Sequence, residues 1–321
     1  MKIAVLLLIA LIGAMAQAPL PTPGFHHLHL NSVDPGAAID FYTRQFPSTN
    51  KTTFAGQPAL QAGKVFVLFN QVKTPPPTKP QTAIWHFGWH VTDVHKSRDT
   101  YINRKDVHLL PLYTTGAGAF VYASSDTWPG NNGSLGLTKA EIAEAIAKNV
   151  KPKHGAGFAY LEGPDGAIIE YQGNMPAERF NHVHMFQQDP FCAVLWYQKH
   201  LNAPVPASNR APLTEANCKV PRPELSWPSL EPGGMLRQPA GVTFSDVALT
   251  WHVQQDEHPL VGSRGHLYDH VALSVGDLDA WIAKLRREKV KILQKPYKVG
   301  GARAVMIEGP SREALELIEI K

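Results

Sequence analysis

The chain has 321 residues, 18% of them charged and 44% hydrophobic, with a formal charge of +4 that is spread without a basic run. Neither nucleic acid nor an anionic membrane surface is implied as a partner, and a small molecule is the expected one. The length suits two domains of ordinary size or one two-lobed body with a sizeable core. At the start, Met1 and Lys2 precede an unbroken apolar run from Ile3 to Ala16, followed by "AQAPLPTPG". This is the layout of a cleavable secretory signal, and the run is too short to span a bilayer comfortably. Residues 1–16 are expected to be removed, leaving an exported chain, periplasmic or secreted, with no membrane association.

The first element after the signal reads "FHHLHLNSVDPGAAIDFY" at 25–42, and "FNHVHMFQQDPFCAVLWY" stands at 180–197. The two windows share Phe25/Phe180, His27/His182, His29/His184, Asp34/Asp189, Pro35/Pro190, Ala38/Ala193 and Tyr42/Tyr197. The pattern has two weaker copies. His27, His86, His182 and His270 are each followed seven residues on by an aspartate, at Asp34, Asp93, Asp189 and Asp277. Chance would place about one such pair or fewer in this chain, so the spacing marks a fourfold internal repeat.

Each copy predicts a strand that opens with the histidine and a helix that the aspartate caps. Pro35 and Pro190 fall in the first helical turn, where proline is tolerated best. Tyr42, Tyr101, Tyr197 and Leu285 lie fifteen residues after the histidines and are expected to pack onto the strands. The second and fourth copies close with "EGPDGAIIEYQ" (162–172) and "EGPSREALELIE" (308–319), placing Glu170 and Glu316 inside otherwise apolar strands. A carboxylate there is costly unless it is paired or holds a metal. At the roughly corresponding place, the first and third copies offer Asn70 and His252. Side chains two apart on a strand share a face, so His29 and His184 should point with His27 and His182. Either could act as a general base or hydrogen-bond a ligand.

A histidine-led strand, an aspartate-capped helix with an "FY" or "WY" pair, and strands closing on "GPDG" and a glutamate resemble the βαβββ module of the vicinal oxygen chelate superfamily. That group includes glyoxalases, extradiol dioxygenases and bleomycin-resistance proteins. The resemblance covers nearly all of the mature chain and implies an α+β fold of four βαβββ modules pairing into two incomplete barrels. The first domain would be 24–172 and the second 180–321, although module 1 can equally meet module 4. It further implies one divalent metal per cup, held by His27, His86 and Glu170 in one and by His182, His270 and Glu316 in the other, with His29 and His184 as catalytic candidates. Two imidazoles and a carboxylate suit iron, manganese, nickel or zinc. The expected activity is that of a metal-dependent oxygenase, isomerase or lyase acting on a small oxygen-rich compound; the other reading is a non-catalytic binder that sequesters a small molecule.

Two stretches interrupt the repeat. Residues 124–149 run from a Gly/Asn loop toward a helix that Thr138 and Glu141 could start, and the proline-rich 203–241 is expected to be irregular. Both are lids or surface decoration. Cys218 lies in the second, and Cys192 lies early in the third helix, so export would let them form a disulfide.

Overall fold

A computed structural model describes residues 19–110, 112–114, 121–123, 144, 147–149, 158–173, 175–204, 212–219, 240–253 and 259–321. The signal at 1–16, the helix expected near Thr138 and most of the two insertions lie outside them.

Each repeat copy folds as a strand and then a helix. The first comprises β1 (Gly24–Ser32), α1 (Pro35–Gln45), β2 (Thr49–Phe54), β3 (Gln57–Ala62) and β4 (Val65–Gln71). The second has β5 (Ile84–Val91), α2 (Val94–Ile102), β6 (His108–Leu110), a small ribbon of β7 (Leu112–Thr114) and β8 (Val121–Ala123), then β9 (Phe158–Glu162) and β10 (Ile168–Gly173). The third has β11 (Arg179–Gln187), α3 (Pro190–Leu201), β12 (Ala240–Phe244) and β13 (Val247–Val253). The fourth has β14 (Tyr268–Val275), α4 (Leu278–Arg287), β15 (Ile292–Val299), β16 (Ala302–Glu308) and β17 (Ala314–Glu319).

The helix starts follow the expected chemistry at three of four places. The carboxylates of Asp34, Asp93 and Asp277 accept from the amides of Ala37, Lys96 and Ala280. At Asp189 the side chain makes no capping bond to α3, and the fixed φ of Pro190 begins the helix instead. Tyr42, Tyr101, Tyr197 and Leu285 are buried, as their spacing required.

The modules are joined in an order that the sequence left open. One sheet of eight strands runs β15-β16-β17-β14-β1-β4-β3-β2, and one of seven runs β12-β13-β11-β5-β10-β9-β6. Module 1 therefore pairs with module 4, through antiparallel β1 and β14, and module 2 with module 3, through β5 and β11. The sequence halves 24–172 and 180–321 do not each close a sheet of their own, because β1 finds its antiparallel partner at the far end of the chain. Each sheet is an open, incomplete barrel. Their outer faces and the helices share one apolar core, in which Phe46 stacks on Trp89 with ring centroids 4.1 Å apart and Phe25 meets Phe180 at 5.8 Å.

The two sheets repeat each other residue by residue. His29 pairs with His270 and His184 with His86; His27 pairs with Ala272 and His182 with Gly88. On the other side of those small residues lie Glu316 and Glu170. Register shifts fall at the same two places in both pairs, just before His27 and His182 and just after His29 and His184. Such bulges bend a strand and re-aim its side chains.

The closing turns differ while their glutamates keep register. Asp165 and Gly166 both take positive φ, at 59° and 80°, whereas in the second turn only Arg312 does, at 65°. The substitution of Ser311 and Arg312 for Asp165 and Gly166 thus alters the turn without displacing Glu316.

Candidate functional site

Because the modules pair crosswise, the ligand candidates fall into groups other than those expected. His86 and Glu170 are joined by His182 and His184, while His27 and His29 are joined by His270 and Glu316. The first cup thus exchanges His27 for His182, and the second exchanges His182 for His27. Each still receives two module-opening histidines, one glutamate and the added histidine that strand alternation predicts.

In the first cup, His86 Nε2 lies 2.7 Å from Glu170 Oε2, His182 Nε2 at 3.5 Å and His184 Nδ1 at 3.6 Å. The four ligand atoms lie within 4.8 Å of one another, a spread compatible with donors about 2.0–2.2 Å from one shared ion. His182 Nδ1 is 2.9 Å from Asn181 Oδ1, which holds the ring from behind with Nε2 facing the cup. That Nε2 is buried and has no hydrogen-bond partner among the described residues. The Gln172 side-chain amide also lies 2.9 Å from Nδ1. The Tyr160 hydroxyl, opposite Glu170 on β9, hydrogen-bonds to its carboxylate.

The second cup is more open. His27 Nε2 and His270 Nε2 lie 3.7 and 4.0 Å from the two oxygens of Glu316. Both nitrogens and Glu316 Oε1 are buried without a hydrogen-bond partner among the described residues. His27, His29 and His270 offer ring nitrogens that all lie within 4.8 Å of one another, a spread that could hold a cation, with Glu316 at its edge. His270 is held from behind by Asp269, whose Oδ1 is 2.6 Å from Nδ1, and His27 Nδ1 lies 2.8 Å from the Nδ1 of buried His26. A carboxylate behind an imidazole fixes its tautomer and raises its basicity as a ligand. The Tyr297 hydroxyl, from β15, donates to Glu316 Oε2. Tyr160 and Tyr297 do the same work from unrelated strand positions, since the counterpart of Tyr160 opposite Glu316 is Met306.

Burial governs the charges. It drives His86 down to about 4, although Glu170 partly opposes this, and with His270 nearby it drives His29 to about 3. His27 and His184 are held well below the ordinary imidazole value, again chiefly by burial. These imidazoles are neutral at neutral pH and present lone pairs, the form a metal requires. Burial pushes Glu170 up, but His182, His86 and His184 together outweigh it and keep the carboxylate ionised.

Asn70 and His252 do not take the glutamate's place. Parallel pairing sets Leu68 opposite His29 and Thr250 opposite His184, so the counterparts of Glu316 and Glu170 are Leu68 and Thr250. Asn70, one pleat further on, donates to Asn31 Oδ1. His252 nevertheless reaches the first cup, with its ring centroid 4.9 Å from that of His184. Sequence reasoning did not find Tyr297, Asp269, Asn181 or His26; the last three share one signal, a polar side chain directly before a module-opening histidine.

Gly88 is required by the close approach of two strands and a ring. A Cβ there would stand 2.3 Å from Glu170 O and 2.5 Å from His182 Cε1. Gly88→Ala is therefore expected to cost about 1–3 kcal/mol by overpacking, measured by urea denaturation. Ala272→Gly, at the counterpart site, should cost only about 0.5–1 kcal/mol. Equal effects would mean that the first cup is no tighter than the second.

The family model of the Glyoxalase/Bleomycin resistance protein/Dioxygenase superfamily matches residues 179–317, which supply strands to both sheets. That stretch is similar to a domain of that superfamily. No curated protein matches the chain. Glyoxalase I from Zea mays aligns over 93% of this chain and 92% of its own, with 15% identity and a TM-score of 0.58. A variant of the same maize enzyme aligns over the same shares, with 16% identity and a TM-score of 0.59. At that identity the likeness concerns the fold alone, and it extends over all four modules.

Proposed function

We propose that this chain is an exported, divalent-metal-dependent enzyme of that superfamily acting on a small oxygen-rich compound, by an oxygenase, isomerase or lyase reaction. The observation that carries the metal reading is the set of buried, unpartnered donor atoms in the second cup: His27 Nε2, His270 Nε2 and Glu316 Oε1. Leaving them so costs on the order of 1–3 kcal/mol for each group, more where one is charged. A cation at their common point removes that cost.

His86, His182 and Glu170 would hold one ion, and His27, His270 and Glu316 another, either being iron, manganese, nickel or zinc. When bound, such an ion supplies Lewis-acid polarisation of chelating oxygens. The protein's own groups do the rest. Tyr160 and Tyr297 fix the glutamate orientations, Asp269 fixes the His270 tautomer, Asn181 and Gln172 hold the His182 ring, and neutral His29 and His184 stand beside the ligands as proton acceptors. The alternative is a non-catalytic binder of the bleomycin-resistance type, favoured if purified protein carries a small molecule and no metal. Export is supported by the apolar run at 3–16 and by the Cys192–Cys218 disulfide, which belongs to oxidising compartments.

Metal analysis of protein purified without a histidine tag tests the reading. Glu170→Ala should lose one equivalent, Glu316→Ala the other, and the double variant both. Metal content equal to wild type in both single variants would dismiss it.

A further inference from the structure

The second cup opens into a cavity of about 310 Å³. Its floor is His27, His270 and Glu316, and its mouth carries Arg264 and Lys298. Glu316 is the one carboxylate among the residues that line this cavity, and Asp269 pairs with Arg264 from behind it. Lys298 makes no ion pair among the described residues. Arg264 is fixed through Nε, 2.8 Å from Asp269 Oδ1, and its terminal nitrogens have no hydrogen-bond partner among the described residues. Asp269 thus holds both the floor and the rim, bonding His270 Nδ1 and the guanidinium through one oxygen. In the first cup the residue before the corresponding histidine is Trp85, which brings no charge.

We infer that the second cup takes a small anion that chelates at the floor through neighbouring oxygens and is clamped at its other end, a carboxylate or phosphonate, by Arg264 and Lys298. A guanidinium held through Nε still presents planar donors that match such groups in pairs. The cavity lies at the small end of ligand sites, which excludes bulky substrates. The inference rests on the metal reading of this cup.

The test uses the full chain with His86→Ala and His182→Ala, so that only the second cup loads manganese. Acetohydroxamate and succinomonohydroxamate share a chelating end and differ in a distal carboxylate. The second should bind about tenfold more tightly, the scale of a charge-assisted contact. Adding Arg264→Gln and Lys298→Gln should bring the ratio close to one, while manganese content and acetohydroxamate affinity hold. Acetohydroxamate binding also reports an intact cup; if Arg264→Gln disturbs it, Lys298→Gln alone should still lower the ratio. A ratio near one in the parent, or one that survives both substitutions, overturns the anion clamp and leaves the metal reading standing. Failure of the second cup to take up manganese, iron, nickel or zinc overturns the metal reading itself, and the clamp with it.

Discussion

Replacing Cys192 and Cys218 together by alanine is expected to lower the unfolding free energy by about 3 kcal/mol, the chain-entropy value for a loop of this size. The two cysteines are joined, with their α-carbons 4.8 Å apart and a sequence separation of 26. Cys192 lies in the first turn of α3, where its counterpart in α1 is Ala37, so little packing is lost with the sulfur. Cys218 is 3% exposed and ends a short turn in which its amide donates to Thr214 O and the Thr214 amide to Asn217 Oδ1. That turn is the described part of the proline-rich insertion, and it has few apolar side chains to hold it. Guanidinium denaturation of the double variant and of reduced wild type should give coincident curves, both displaced from the oxidised protein. A displacement under about 1 kcal/mol would mean that the link restrains little of the unfolded chain.

The stability of the wild type should carry a pH-dependent contribution that Glu313→Gln removes. Glu313 is fully buried behind the second closing turn, accepting from the Tyr197 hydroxyl at 2.9 Å and the Ser311 amide at 2.7 Å. Burial raises its pKa from 4.5 to about 7, against those hydrogen bonds. Between these values the folded state holds the proton that the unfolded state releases. Stability from this group therefore falls as pH rises through the window and levels off above it, by about 3 kcal/mol in total. The buried histidines act in the opposite sense. His86 and His252 are each lowered to about 4 by burial, so the unfolded chain binds more protons between about 4 and 6.5 and stability rises with pH there. Subtracting the Glu313→Gln curve from the wild-type curve cancels the histidines. The difference should slope downward from pH 4.5 to 7; a flat difference would show that Glu313 ionises inside the fold without cost.

Much of the fold and of the donor set can be read along the chain because each rests on local chemistry. The seven-residue step from histidine to aspartate joins a strand start to a helix cap, and alternation in "HLH" and "HVH" puts His29 and His184 beside His27 and His182. A single carboxylate in the apolar run "AIIEY" or "ALELI" betrays its own cost. Crosswise pairing is different in kind. Whether β1 joins β5 or β14 depends on which edge offers matching bulges and a small residue opposite His27, and Gly88 and Ala272 look alike in that respect. Tyr297 was hidden for a similar reason, since "QKPYKV" reads as an exposed strand until Glu316 is found two strands away. The two-residue displacement of His252 from the expected glutamate position reflects strand lengths that differ between modules.

The crosswise order also governs how the molecule can assemble. The seven-stranded sheet is drawn from one continuous stretch, 84–253, and all its partners are present once that stretch has been synthesised. The eight-stranded sheet is not. β1 leaves the ribosome early, yet the strand it needs, Tyr268–Val275, comes almost at the end. Its loop-closure entropy is correspondingly large, and its rate of formation correspondingly low. Until then the first module keeps an unpaired edge bearing "FHHLHL", the kind of surface on which chains aggregate. Prematurely terminated chains should therefore fail in the eight-stranded sheet first, with the seven-stranded one already formed.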